Sequence, residues 1–262
     1  MDQLHTGKKI NRPSDDPVIA TKGMGYRSQV TQIEQYIRNT NEVHNWMDNS
    51  DAALDKATSA LQKLRELAVQ ASNSTYGSEE RKNMMEEVKE LKGHLKDIAN
   101  SKVNGKYIFN GMNTGEAPIQ DDVFNFSDKK VMIEVSYGTE IQANVNGDSI
   151  FGKELFDDID KFMNALDSDD QDNIQSSIET IDKNINNVIN SRANLGARMN
   201  RLDLIENRLS EQEIVAKKVM SENEDVDYEK AITDLITQES LHRAALAAGS
   251  RTIQPTLLDF LR

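Results

Sequence analysis

The residues with the widest catalytic and metal-binding chemistry in this sequence are its four histidines, His5, His44, His94 and His242. Glu239 and His242 form a Glu-x-x-His pair, half of a di-iron motif, but the sequence holds no second pair to complete such a site. Glu90 and His94 lie one helical turn apart, and no further ligand joins them in the pattern. His44 falls on an apolar helical seam, which favours a structural imidazole. We therefore predict no metal site and no cofactor.

The sequence supports neither a catalytic nucleophile nor a phosphate-binding loop. Gly7 and Lys8 lie in a turn of small residues, but a nucleotide-binding loop requires Ser or Thr after the lysine, and Lys9 stands there. No Gly-x-Ser-x-Gly motif is present. The acidic run 167–173 lacks the Gly and the Glu that a calcium-binding loop needs at its sixth and twelfth positions. The sequence predicts no catalytic residues and no enzyme.

Composition narrows the class of protein further. Only 37% of the 262 residues are hydrophobic and 29% are charged, which suits long helices that each bury a narrow stripe. The net charge of −13 argues against nucleic acid and anionic membranes as partners, because both attract accumulated Lys and Arg. There is no cysteine, no apolar run long enough for a membrane span and no leader of signal-peptide type. If the protein leaves the cell, we expect another route.

Apolar residues recur at helical spacing from Gln29 to Ala71 without a proline, which predicts one very long helix or two that nearly abut. Ser78 is predicted to cap a second helix, whose apolar seam follows a spacing of four and three residues. A third run, from Ile174 to Leu209, keeps the same spacing over a similar length. The seam of the second helix consists of Met84, Val88, Leu91, Leu95 and Ile98.

Between these runs the chain changes character near Gly105. Residues 105–152 are predicted to form strands and turns, and within them 129–138 and 139–148 alternate apolar and polar side chains about Gly138, as a β-hairpin with one buried face does. Six of the seven phenylalanines lie in this region or in the short helix predicted after it, which indicates one small compact body. The phenylalanines are Phe109, Phe124, Phe126, Phe151, Phe156 and Phe162.

The two long helical runs bury both of their stripes most simply by lying side by side. The predicted fold class is therefore mainly α with a small β-rich insertion, in an elongated antiparallel helical rod. We predict five segments: a terminal assembly arm and joint at 1–16, the first part of the rod at 17–104, the β-rich insertion at 105–152, the returning part of the rod at 153–225, and a C-terminal assembly arm at 226–262.

Three segments resemble the flagellin superfamily. They are "TGKKINRPSDDPVIA" (6–20), "LRELAVQASNSTYGSEER" (64–81) and "RANLGARMNRLDLIENRL" (192–209), and the terminal "LLDFLR" adds to the likeness. The rod fold is thus expected to be similar to the D1 domain of flagellin. Within the superfamily, "PSDDP", "GKYIFNG" and the modest insertion are more similar to members at the hook-filament junction than to filament flagellin.

The resemblance implies a bacterial structural subunit that joins a hook-associated protein to the flagellin filament. Its expected partners are copies of itself, another hook-associated protein, flagellin and an export chaperone on the C-terminal stretch, with no nucleic acid and no membrane. The expected location is extracellular, after type III export without a cleaved signal peptide. Family members carry a further helix ahead of the first motif, so the start of this chain is expected to be truncated or misassigned.

The resemblance also selects candidate assembly residues. Pro13 and Pro17 fix the backbone at two points, and Asp15 or Asp16 can cap the long helix, so 6–20 is interpreted as a rigid joint. The joint residues are Gly7, Asn11, Pro13, Asp15, Asp16 and Pro17. The rod residues are Arg65, Glu66, Arg192, Asn194 and Gly196. The apolar arm, expected to order only when another segment covers it, carries Ile232, Leu235, Leu241, Leu246, Leu257, Leu258 and Phe260.

Two alternatives remain open at this stage. The chain could be filament flagellin itself, which shares the same helical motifs. In a different class, it could be a secreted coiled-coil module that binds a surface through the β-rich insertion.

Overall fold

The structure is a computed structural model that describes residues 2–73 and 76–253. It is 72% helical with a few short antiparallel strand pairs, which confirms a mainly α fold with a small β insertion. The helices are α1 (Asp2–Thr6), α2 (Pro17–Ala71), α3 (Ser78–Ala99), α4 (Asp148–Phe151), α5 (Lys153–Asp167), α6 (Gln171–Glu224) and α7 (Tyr228–Ile253). None of the described helices is both long and apolar enough to cross a membrane.

The chain divides into two compact units, each of which we describe separately. The main unit comprises residues 35–210, and the terminal unit comprises residues 1–34 with 211–262. Helix α2 is continuous, which settles the choice between one long helix and two in favour of one. The five-segment division predicted from the sequence stays a prediction.

In the main unit, α2 and α6 run antiparallel, as three charged contacts between them show. The Arg65 Nε lies 2.5 Å from Asp182, and the Arg192 Nε lies 2.7 Å from Asp51. Further along, the His44 Nδ1 lies 3.8 Å from Asp203. Residue numbers fall on α2 as they rise on α6, so the two helices point in opposite directions at a constant register.

The apolar seams predicted from spacing form the core of the main unit. Leu54, Leu61 and Leu64 on α2 are almost fully buried, as are Ile174 and Leu195 on α6. Burial is not uniform along these seams, because some of the predicted seam residues lie half-buried. These half-buried residues are Leu91, Ile178 and Met199.

Helix α3 packs against α5, and Arg81 at its start ties three segments together. The Arg81 guanidinium donates to the carbonyl of Ala71 at 3.2 Å and to the Gln171 side chain at 2.8 Å, and it pairs with Asp169. Arg81 is only 4% exposed, so these contacts satisfy a buried cation. They connect the end of α2, the start of α3 and the loop before α6.

The predicted N-cap at Ser78 is wrong by one position. Gly77 is the N-cap residue, in an extended conformation, and Ser78 is the first residue of α3. No side chain caps this end, but Glu79 and Glu80 lie in the first turn, where the helix dipole favours negative charge.

The β insertion consists of three two-stranded antiparallel pairs. They are β1 (Lys102–Val103) with β2 (Lys106–Tyr107), β3 (Ile119–Gln120) with β4 (Val123–Phe124), and β5 (Met132–Ser136) with β6 (Thr139–Gln142). The β5–β6 hairpin turns at Gly138, whose φ of 66° suits glycine. The predicted hairpin about Gly138 is therefore present.

Phenylalanines anchor this insertion to the helices beside it. Phe109 meets Phe151 edge to face at 5.1 Å between ring centroids, and Phe124 lies 5.2 Å from Phe156. Arg198 of α6 also donates to the carbonyls of Gln142 and Asn144, each at 2.9 Å. The insertion is thus fixed on the main unit by both apolar and polar contacts.

Candidate assembly joint

The "TGKKINRPSDDP" segment is clasped to the end of α6 in the terminal unit. The Lys9 amide donates to the Glu224 carbonyl at 2.7 Å, and the Val226 amide donates to the Gly7 carbonyl at 2.9 Å. These two bonds flank an isolated antiparallel bridge between Lys8 and Asp225. The segment therefore pairs with the turn that leads from α6 into α7. We call residues 6–27 together with 221–228 the clasp.

Glu224, the last residue of α6, is the electrostatic centre of the clasp. Its side chain is 6% exposed. Arg27 donates to both of its carboxylate oxygens at 2.7 Å in a bidentate pair, and the Lys8 ammonium lies 3.4 Å from Oε2. Lys8 also contacts Asp225 at 2.7 Å. Lys8 and Arg27 thus neutralise Glu224 and Asp225 where the segment before α2, the first turns of α2 and the end of α6 meet.

These contacts change the proton affinities of the groups. Hydrogen bonding from Arg27 lowers the pKa of Glu224 below its usual 4.5. The hydrogen bond that Lys8 donates to Asp225 lowers the pKa of Asp225, and the same bond raises the pKa of Lys8. Lys8, Glu224 and Asp225 are therefore charged at neutral pH.

Two glycines allow the close approach that the clasp requires. Gly7 has a φ of 69°, and a Cβ there would lie 2.9 Å from the Tyr228 hydroxyl. A Cβ on Gly23 would lie 2.6 Å from the Glu224 Oε1. Since Arg27 and Lys8 hold that carboxylate in place, any larger residue at position 23 would displace it.

The predicted joint residues organise the loop before α2. Asp16 caps the helix, because its Oδ1 accepts from the amides of Val18 at 2.9 Å and Ile19 at 3.0 Å. Asp15 instead accepts from the amides of Asn11 and Arg12 and closes the loop on itself. Of the two aspartates considered from the sequence, Asp16 is the cap.

The remaining joint residues have structural roles nearby. Asn11 accepts a hydrogen bond of 2.8 Å from the Thr6 hydroxyl, and Pro17 is the first residue of α2, where its missing amide hydrogen is not needed. Pro13 lines a groove with Lys8, Arg27 and Glu224. The structure thus brings all six predicted joint residues into the segment that docks on α6.

The predicted rod residues separate into two groups. Arg65 and Arg192 join α2 to α6 through Asp182 and through Asp51 with Asp55. Glu66 lies on the surface near Lys63, Asn194 is exposed, and a Cβ on Gly196 would meet nothing within 4 Å. Within the part of the chain that the structure describes, no packing contact requires the residue types of this second group.

The predicted apolar arm lies largely on α7. Ile232, Leu241 and Leu246 are exposed by 47%, 65% and 62%, and Leu235 is half-buried. Leu257, Leu258 and Phe260 lie outside the described residues. In the structure 228–253 is helical, and at the start of this helix Asp227 accepts a hydrogen bond from the Lys230 amide at 3.2 Å. That this stretch orders only when another segment covers it stays a prediction.

Sequence reasoning missed the residues at the centre of the clasp. Lys8 was considered only as part of a phosphate loop, and neither Arg27 nor Glu224 was selected. The signal that could have found them is the Gly-x-Gly spacing of Gly23 and Gly25 inside a long helix. A helix tolerates glycine poorly, so its presence suggests a close approach.

Comparisons with known proteins match this architecture. The bacterial flagellin N-terminal helical region matches residues 1–114, and the bacterial flagellin C-terminal helical region matches residues 178–261. Together the two regions span most of the chain and leave out residues 115–177, which hold β3 to β6, α4, α5 and the first residues of α6. The chain belongs to the flagellin family.

Individual relatives cover nearly the whole chain. Flagellar hook-associated protein 3 of Escherichia coli is 25% identical over 94% of this chain and 87% of its own length. Flagellin of Halalkalibacterium halodurans is 26% identical over 100% of this chain and 90% of its own. The crystal structure of Bacillus cereus FlgL shares the fold, with a TM-score of 0.67, 22% identity and coverage of 75% of this chain and 99% of that one.

These likenesses establish a structural component of the flagellum. The superfamily resemblance and the function class predicted from it are confirmed. The location on the flagellum is likewise supported by the relatives' names.

Proposed function

We propose that this chain is the subunit that joins a hook-associated protein to the flagellin filament. The proposal is supported by the likeness to hook-associated protein 3 over 94% of this chain and 87% of the relative. Flagellin of Halalkalibacterium halodurans matches over a similar span, so coverage alone does not separate the two functions and the gene deletion described below does. The fold of FlgL, covered to 99% of its solved chain, supports the same assignment. No enzymatic role is proposed.

The clasp supports a role in assembly. It fixes the start of α7 while leaving apolar side chains of that helix, such as Leu241 and Leu246, open to solvent. An exposed apolar stripe on an ordered helix is a surface that a neighbouring subunit can cover. We propose that copies of this chain and flagellin cover it in the flagellum, and that an export chaperone covers it beforehand.

The proposal also concerns location. We propose an extracellular position at the hook-filament junction, reached by type III export without a cleaved signal peptide. Neither nucleic acid nor membrane is a proposed partner, in keeping with the net charge of −13.

Gene deletion separates this function from that of filament flagellin. Loss of a junction subunit should leave hooks intact, abolish filaments and release unassembled flagellin of another sequence into the medium. Loss of filament flagellin should instead remove filaments while no flagellin appears in the medium. Electron microscopy of the hooks and mass spectrometry of the medium distinguish the two outcomes, and the second outcome would overturn the proposal.

A further inference from the structure

A cluster of possible metal ligands lies between α2 and α6 in the main unit. His44, Asp203 and Glu206 each offer one ligand atom, and these atoms lie within 4.8 Å of one another. Asp203 and Glu206 stand three residues apart on α6, so they share one face of that helix. Helix register therefore brings two carboxylates to one imidazole.

The two imidazole nitrogens face different partners. Nδ1 lies 3.8 Å from Asp203, on the side of the cluster, and Nε2 lies 3.5 Å from Asp48 on its own helix. A metal-bound histidine commonly presents its other nitrogen to a carboxylate, which fixes the ring and increases its basicity. Asp48 stands where that orienting carboxylate would be.

The charge at this position is also unusual for the α2–α6 seam. At the neighbouring contacts, Arg65 and Arg192 neutralise the aspartates that face them. At the His44 position the acidic side chains are Asp48, Asp203 and Glu206, and none of them pairs with Lys or Arg among the described residues. Three carboxylates thus surround one imidazole without a Lys or Arg partner among the described residues.

We propose that His44, Asp203 and Glu206 bind a divalent transition-metal ion, with Zn²⁺ as the best fit, and that Asp48 positions the imidazole. One nitrogen and two carboxylate ligands suit Zn²⁺, whereas Mg²⁺ favours six oxygens. Tetrahedral Zn²⁺ with bonds of about 2.0–2.1 Å needs ligand atoms roughly 3.4 Å apart. The His44 side chain is 37% exposed and the Asp203 side chain 53%, so rotation about their own bonds can bring the ligand atoms to that spacing.

The ion would tie α2 to α6 without any contribution from the clasp. This function is independent of the flagellar assignment and goes beyond it. The sequence-based expectation of no metal site treated His44 without ligands from another helix. The approach of Asp203 and Glu206 depends on the register between two helices that are far apart in the sequence.

Zinc binding to the full, untagged, metal-free chain tests the proposal. Competition with a chromophoric chelator should give one Zn²⁺ per chain, and Zn²⁺ should raise the thermal unfolding temperature where Mg²⁺ does not. His44→Ala should remove this binding. His94→Ala is the matched control, since His94 also lies one turn from a carboxylate, Glu90, and should leave binding unchanged.

If His44→Ala folds poorly, variants of the three carboxylates still test the proposal. Asp203→Asn and Glu206→Gln should each weaken Zn²⁺ binding at least tenfold. Asp48→Asn should weaken it about tenfold while the stoichiometry stays at one, as expected of a positioning residue. X-ray absorption should show one imidazole nitrogen on the zinc. Absence of stoichiometric binding, or unchanged binding in Asp203→Asn and His44→Ala, would overturn the proposal.

Discussion

Arg27 donates two hydrogen bonds of 2.7 Å to the Glu224 carboxylate, although the two residues lie 197 positions apart in the sequence. The contact joins the beginning of α2 to the last residue of α6 within the terminal unit. Glu224 is buried, so the guanidinium replaces the water that the carboxylate has lost.

Replacing Arg27 with Ala should loosen the clasp locally. The substitution leaves a buried carboxylate with Lys8 as its remaining cation at 3.4 Å, which costs about 1–3 kcal/mol. Hydrogen exchange of the Lys9 and Val226 amides should then be at least about fivefold faster. Arg38→Ala, on an exposed stretch of the same helix, is the control and should leave both amides unchanged. Equal protection in Arg27→Ala would mean that the bidentate pair contributes nothing.

Two nearby glycines on α2 should respond to alanine in opposite ways. Gly23→Ala places a methyl group 2.6 Å from the Glu224 Oε1 and should destabilise the clasp, because the carboxylate cannot move without leaving Arg27. Gly25→Ala meets nothing within 4 Å and should stabilise the helix by about 0.5–1 kcal/mol. Exchange rates of the Val226 amide measure both effects. Similar behaviour of the two variants would contradict the close approach at Gly23.

Acid should open the clasp. The pKa values of Glu224 and Asp225 are lowered in the folded chain, so their stabilisation is fully present above the usual values of 4.5 and 3.8. It is lost as the pH falls below those values through the folded pKa of each group. The backbone NMR signals of Gly7 and Val226 should therefore titrate with a midpoint below 4.5. In Glu224→Gln the Glu224 contribution to this transition should vanish, whereas Glu222→Gln should preserve it.

The fold was predictable because its elements follow from local pattern. Leu54, Leu61 and Leu64 repeat at a helical period and are buried as that period requires. The exact start of α3 could not be predicted in this way. Ser78 has the side chain of a good cap, but Gly77 is the residue that adopts the capping backbone conformation. Which of two adjacent residues caps the helix depends on the backbone conformation of the preceding turn. The spacing of apolar residues carries no information about that conformation.

The clasp was only partly predictable for a different reason. Pro17 and Asp16 act within a few residues of each other, so sequence alone indicates a capped helix start. The pairing of Lys8 and Arg27 with Glu224 depends on where a 54-residue helix ends relative to the beginning of another. Polar contacts of this kind carry no periodic signal, and any of the 44 acidic residues could have been the partner.

Arg81 should be important for the stability of the main unit. Arg81→Ala leaves Asp169, Gln171 and the Ala71 carbonyl without their shared donor and should destabilise the unit by about 3 kcal/mol. Urea unfolding followed through Trp46, the single tryptophan, reports on this unit because that ring is buried within it. Lys82→Ala, at an exposed position on the same helix, should change the midpoint little. A comparable midpoint in both variants would show that the Arg81 contacts are dispensable.

Gly196 offers a way to separate folding from assembly. A Cβ there meets nothing within 4 Å, so Gly196→Ala should stabilise α6 by about 0.5–1 kcal/mol in urea unfolding of the monomer. Because Gly196 lies in a segment that resembles the flagellin superfamily, and a Cβ there would meet nothing within 4 Å among the described residues, we expect the same variant to impair filament attachment. Gly93→Ala on α3 is the matched control: its Cβ also meets open space, and it should stabilise the chain and leave motility intact. Normal motility with Gly196→Ala would show that this glycine is not an assembly contact.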